Sequence, residues 1–173
     1  IYKDYLQSDF TIVHLEPSCF TAFIDDIPDL VQTDDAKKLK EKSMTFEDYL
    51  LSILDDTEIK WSSKTQDVLY HAHCHLKGEG MTNNVLKLLE KIPAIDAKLI
   101  DSGCCGMAGA FGYEEEHYEI SMKIANQRLF PAIKEASDNT VIVANGHSCR
   151  CQIYDGLDKK AVHIAQLLET HLS

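Results

Sequence analysis

The chain has 173 residues, 45% hydrophobic and 26% charged, a profile that excludes a disordered chain and leaves enough sequence for one ordinary domain with a real core. The 17 Lys and Arg stand against 28 Asp and Glu, a net charge of −11, which excludes nucleic acid and anionic membrane surfaces as main partners because both need a basic footprint. No apolar run approaches the roughly 20 residues needed for a membrane span; no signal peptide is visible, and the opening at Ile1 reads as already folded sequence, so a piece of a longer protein is expected.

In chain order, residues 11–15 form a short apolar run before Cys19 and predict a strand. Residues 45–54 carry Phe46, Tyr49, Leu50 and Ile53 at helical spacing. Residues 68–70 predict a second buried strand leading to Cys74. Asn83 or Asn84 is placed to cap a helix carrying Val85, Leu88 and Leu89, which Pro93 closes. Residues 97–100 predict a strand before Cys104, and residues 114–136 the longest helix, striped by Tyr118, Met122, Ala125 and Leu129 and kinked at Pro131. Residues 141–143 predict a strand before Cys149, and residues 160–172 a terminal helix. This alternation implies an α/β fold, a mainly parallel sheet flanked by helices.

The chain also echoes itself. Ile12-Val-His-Leu-Glu-Pro-Ser-Cys19 parallels Val141-Ile-Val-Ala-Asn-Gly-His-Ser-Cys149, each an apolar strand, a polar turn and Ser-Cys. Coincidence is one explanation of so short a pattern. Duplication is the other, with residues 1–62 as the tail of a first copy and residues 63–173 as a complete second copy.

The six cysteines suit metal chemistry better than disulfides. Cys104 and Cys105 are adjacent, which strains a mutual disulfide, and the cysteines follow strand-like runs in a well-cored sequence. Cys74, Cys104, Cys105 and Cys149 supply four thiolates, the usual complement of an iron–sulfur cluster. They follow three separate strands, whose carboxyl ends a parallel sheet brings to one edge. The small-residue loop 106–112 then lets backbone N–H groups approach cluster sulfurs and tune their potential.

Three segments carry a resemblance: His71-Ala-His-Cys74-His-Leu-Lys-Gly78, Ser102-Gly-Cys104-Cys105-Gly-Met-Ala-Gly109-Ala-Phe-Gly112 and Gly146-His-Ser-Cys149-Arg-Cys-Gln-Ile153. They resemble the cysteine-rich CCG domain found in heterodisulfide reductase, in the glycolate oxidase iron–sulfur subunit and in the iron–sulfur subunit of anaerobic glycerol-3-phosphate dehydrogenase. Glu116-His-Tyr-Glu-Ile-Ser-Met122 and Leu129-Phe-Pro131 look most like the C-terminal part of FAD-linked oxidases fused to iron–sulfur domains. Glu16-Pro-Ser-Cys19 is similar to the motif closing the family's first repeat, which makes Cys19 a first-repeat remnant.

The resemblance implies a 4Fe-4S type cluster relaying electrons within a flavin-dependent 2-hydroxy-acid dehydrogenase of lactate, glycolate or hydroxyglutarate type. FAD would lie in the remainder of the protein. The partners it implies are a flavin domain, a ferredoxin-like domain, and a downstream quinone or other carrier. The expected location is the cytoplasm, including the periphery of the inner membrane through those partners, and the chain alone is expected to be inactive. One departure matters: many relatives close each copy with Cys-x-x-Cys, and Gly146 stands at the first of those positions. That weakens a third reading, disulfide reduction at a cluster.

Cys151, His73, Gly106 and Gly109 are candidates for a further ligand or for supporting contacts. On an extended strand His71, His73 and His75 share one face and Cys74 takes the other, so a zinc site using them requires the strand to end first. Zinc with mixed Cys/His ligands remains the competing metal, and a zinc-stabilised or metal-free docking module the competing role. Arg150 is expected to contact a cluster, a partner or a nearby carboxylate, and Glu114–Glu116 to favour a helix start through the macrodipole.

Overall fold

The computed structural model describes residues 3–173, which form two compact units divided between Thr57 and Glu58. In the first, β1 (Ile12–His14) runs parallel to β2 (Ser43–Thr45), with Val13 opposite Met44. Between them lie the short helices α2 (Pro17–Thr21) and α3 (Ile27–Val31) and the longer α4 (Asp34–Lys42); α1 (Lys3–Leu6) precedes the pair. The helix expected over 45–54 is α5 (Phe46–Ile53), and the Thr45 hydroxyl caps it by accepting from the Asp48 amide.

The second unit holds a four-stranded, wholly parallel sheet in the order β4-β3-β5-β6. Its elements are β3 (Gln66–His71), α6 (Cys74–Gly78), α7 (Asn84–Glu90), β4 (Ile95–Leu99), α8 (Glu115–Gln127), α9 (Leu129–Glu135), β5 (Val141–Ala144), α10 (His147–Leu157), β6 (Ala161–Val162) and α11 (Ile164–Glu169). Val68 pairs with Ala97 on one side and Val141 on the other, which aligns the three strand ends. In β5, Ile142, Val143 and Ala144 are all buried, as expected for a strand covered on both faces. Ile142 and Ala144 join Ile100, Ala125, Leu129, Phe130, Ile133 and Ile153 in the main apolar cluster, together with Cys105 and Cys149.

Three expectations need correction. The helix over 114–136 breaks at Arg128 (φ −145°), not at Pro131. Proline cannot donate to the carbonyl four residues back, and its ring clashes there, so the break falls one turn earlier and Pro131 sits inside the first turn of α9. Tyr118 is 51% exposed, and the buried face of α8 begins instead at Ser121. The terminal helix expected over 160–172 is shorter, because Ala161 and Val162 extend the sheet beside Ile142 and Val143 and the helix starts at Ile164. The cap expected near Asn83 is in place by position only, since its side chain makes no capping hydrogen bond.

Helices α9 and α10 meet at Gly156, where an added Cβ would overlap the ring of buried Phe130. Gly156→Ala is expected to lower stability by about 1–3 kcal/mol through overpacking, although alanine gains up to about 1 kcal/mol in helix propensity. Chemical denaturation of the variant beside the parent chain measures the net change.

Candidate metal centre

Because β3, β4 and β5 are parallel, the segments that follow them leave from one edge of the sheet. The strand carrying the histidines ends at His71, and Cys74 opens α6, so the alternation expected for 71–75 does not continue. His73 caps α6 through Nδ1, which accepts from the His75 amide at 3.2 Å. After β4, the chain is tied to β3 by the Ile100 amide on the Tyr70 carbonyl (2.8 Å), and Lys77 donates to the carbonyls of Ser102 and Gly103. After β5, Gly146 opens α10 and places Cys149 in its first turn.

These segments bring the four candidate thiols into one contiguous row: Cys74 against Cys104, Cys104 against Cys105, and Cys105 against Cys149. Cys105 and Cys149 are buried, while Cys74 and Cys104 are partly exposed. Beside Cys104 opens a cleft of about 340 Å³ whose walls include Gly103, Gln127 and Arg128.

The loop after the pair is shaped to aim amides at sulfur. Gly106 has φ +100°, and a Cβ there would overlap the Ser121 carbonyl oxygen, so any side chain is excluded twice over. The Gly106 amide donates to Cys104 Sγ at 3.3 Å. The Ala108 amide also acts on Cys104, the Met107 amide on Cys105 and the His75 amide on Cys74. Gly109, also with positive φ, shapes the turn.

Two further buried residues, Gln152 and the zinc candidate His71, stand against this arrangement. Gln152 Nε2 donates to the Cys105 carbonyl at 3.0 Å and to Ser121 Oγ at 2.9 Å, joining the cysteine loop to α8 and α10. His71 places a ring nitrogen within 4.8 Å of both Cys105 and Cys149 Sγ. The signal for Gln152 lies in its place one turn after Ser148, on the helix face of Cys149; for His71 it is the strand end itself.

His73 also belongs here, since its ring occupies the space a side chain at Gly146 would need, beside Cys149 Sγ. Cys151 turns elsewhere, with its sulfur 3.5 Å from His147 Nε2 and in contact with Tyr113. Arg150 meets neither a carboxylate nor a sulfur in its described bonds; Nη1 donates to the carbonyls of Ala144 (2.9 Å) and Asn145 (2.6 Å). Cys19, in α2 of the first unit, is exposed.

The thiols do not titrate alike. Cys104 is held far below the usual thiol range, first by Cys105 and Cys74 acting on its sulfur and then by the Gly106 and Ala108 amides, against the opposing effect of burial. Cys149 is lowered to about 5, chiefly by Cys105, with help from His71 and His73. Cys105 is pushed up by Cys104 and Cys149, and Cys74 by Cys104. Along the row, then, the thiolate is favoured at Cys104 and Cys149 and disfavoured at Cys74 and Cys105. A row of four sulfurs with amide donors on three of them fits a thiolate-bound cluster.

A sequence model of the CCG cysteine-rich domain matches residues 68–154. Among curated proteins the chain is similar to the C subunit of anaerobic glycerol-3-phosphate dehydrogenase of Escherichia coli (strain K12), 28% identical over 163 residues, covering 94% of the chain and 40% of that protein. It is 26% identical over 179 residues to lactate utilization protein A of Bacillus subtilis (strain 168), covering 95% of the chain and 72% of that protein. A 54-residue stretch, 31% of the chain, is 37% identical to 5% of D-2-hydroxyglutarate dehydrogenase of Escherichia coli (strain K12). The chain thus spans about two-fifths of the glycerol-3-phosphate dehydrogenase component. No solved structure matches it.

In metal-free chain at neutral pH, Cys104 should be alkylated by iodoacetamide before Cys74, because the neighbouring thiols and amides lower the pKa of the first while Cys104 raises that of the second, at comparable exposure. Peptide mapping of a labelling time course reads the order directly.

Proposed function

The chain belongs to the CCG family of cysteine-rich domains, and from that membership and the row of thiols we propose that it is an iron–sulfur electron-transfer domain. Cys74, Cys104, Cys105 and Cys149 would hold a cluster of 4Fe-4S type, which when bound supplies one-electron redox chemistry. The residues here would bind it, shield its inner side within the apolar cluster and hydrogen-bond its sulfurs through the 106–108 amides. The observation that carries the reading is the contiguity of four sulfurs from three strand ends.

The finer assignment is a relay inside a flavin-dependent 2-hydroxy-acid dehydrogenase, passing electrons from FAD elsewhere in the protein towards a quinone or other carrier. The names of the similar proteins support it, two being dehydrogenases or their subunits and one a lactate utilization protein. The same assignment puts the domain in the cytoplasm or at the inner face of the membrane through its partners; no helix among the described residues is long and apolar enough to cross a bilayer.

We also assign residues 1–62 to the tail of a first repeat and 63–173 to a second. In both, a strand is followed after two residues by a helix whose third residue is the Ser-Cys cysteine, Cys19 in α2 and Cys149 in α10. In both, a parallel partner strand then leads into a capped helix, β2 into α5 and β6 into α11.

A second reading rests on His71, Cys105 and Cys149, whose ligand atoms lie close enough to share one ion. Zinc there would make the chain a structural docking module. Disulfide reduction at a cluster is less favoured, because the place of a further thiol at Gly146 is taken by His73.

Anaerobically purified chain should contain iron and sulfide at roughly four of each per chain, with zinc far below stoichiometry. Cys104→Ser and Cys105→Ser should lose that iron, and Cys19→Ser should keep it. Unchanged iron in both of the first variants defeats the ligand assignment. The chain alone should not reduce dyes with lactate, glycolate or 2-hydroxyglutarate.

A further inference from the structure

His71 is the last residue of β3 and is 0% exposed. Its Nδ1 lies 2.8 Å from Ser102 Oγ, and that bond sets the plane of the ring. Nε2 is buried with no hydrogen-bond partner. Leaving a buried imidazole nitrogen unpaired costs free energy that a folded chain usually avoids, so the atom is expected to meet its partner when the site is filled. A ring nitrogen of His71 lies within 4.8 Å of the sulfurs of Cys105 and Cys149, the two buried thiols of the row.

The amides identified above serve Cys104, Cys105 and Cys74. On Cys149 act the Cys105 thiol, the His71 and His73 imidazoles, and the Lys77 ammonium. At Cys149, the innermost sulfur, the His71 and His73 side chains stand beside Sγ.

Resting on the cluster reading, we propose that His71 is a positioning residue that donates Nε2–H to the Cys149 and Cys105 thiolates, adding at Cys149 the kind of donor that the 106–108 amides supply at Cys104 and Cys105. Four thiols already complete the ligand set, so the imidazole is not needed on iron. In this arrangement the Ser102 hydroxyl donates to Nδ1 and the ring proton stands on Nε2. A donor to a thiolate ligand stabilises the more negative, reduced state and so raises the reduction potential.

The test uses anaerobically purified chain carrying its cluster, with iron and sulfide counted in every sample. His71→Leu should keep the wild-type iron count and shift the midpoint potential to a more negative value in an EPR-monitored titration. His71→Gln, which retains a donor, should recover part of that shift. In wild-type chain with 15N-labelled histidine, pulsed EPR of the reduced cluster should show a weak histidine coupling of hydrogen-bond size. This last measurement decides the matter even if the Leu variant fails to fold. An unchanged potential in His71→Leu overturns the proposal, as does the absence of any histidine coupling. A strong coupling also overturns it, because it places nitrogen on iron. Zinc in place of iron in wild-type chain is a different failure: it overturns the cluster reading itself, and this proposal with it.

Discussion

At Gly106 the backbone takes a φ of +100° directly against the Ser121 carbonyl, at a spacing that admits no side chain. The turn made there points the amides of 106–108 back at Cys104 and Cys105. Gln152 locks the same contact from the other side, bonding both the Cys105 carbonyl and Ser121. Two adjacent residues on an extended strand would send their sulfurs to opposite faces. Leaving the strand and turning sharply is what lets Cys104 meet Cys74 at the rim while Cys105 meets Cys149 within the core.

That placement sets two demands against each other. Cys105 and Cys149 pack among Ile100, Phe130 and Ile153, where burial disfavours a thiolate. A metal centre needs thiolates. The conflict is met by dipoles and a nearby cation instead of by opening the site to water. Lys77 acts electrostatically on Cys149, Cys74 and Cys104, while its ammonium is anchored on the Ser102 and Gly103 carbonyls. Its own pKa is lowered by burial, against the pull of those sulfurs. In a chain of net charge −11, a lysine held at the sulfurs works against the prevailing field.

Much of this is legible in the residues alone. The apolar runs before Cys74, Cys104 and Cys149 announce parallel strands, and parallel strands have one carboxyl edge. The glycine loop announces close backbone approach. What cannot be read are features that depend on packing against something distant in sequence. Ala161 and Val162 look helical beside 164–169, and only the free edge of β5 makes them a strand. Gln152 is an ordinary polar helix residue until Ser121, 31 positions away, arrives beside it. The break at Arg128 lies one turn from the proline that signals it, as proline's effect on the preceding turn requires. In the sequence His71, His73 and His75 form one alternating set, and the early end of β3 separates them.

The separation of those histidines bears on the departure at Gly146. A Cβ at that position would overlap the His73 ring and come within 3.2 Å of Cys149 Sγ. His73 cannot simply swing away, because its Nδ1 accepts the His75 amide that starts α6, the helix bearing Cys74. A cysteine at 146 would therefore displace the cap of the helix that presents another of the thiols. The residue pair acts as a unit: glycine at 146 makes room for the imidazole, and the imidazole fills the volume that the Cys-x-x-Cys pattern would give to sulfur. With His71 on the other approach to Cys149, the buried end of the row is flanked by two imidazoles, whose electrostatic effect on that sulfur has the sign of a donor's. Reintroducing the fifth thiol would thus take more than one substitution, since position 73 would have to change with it.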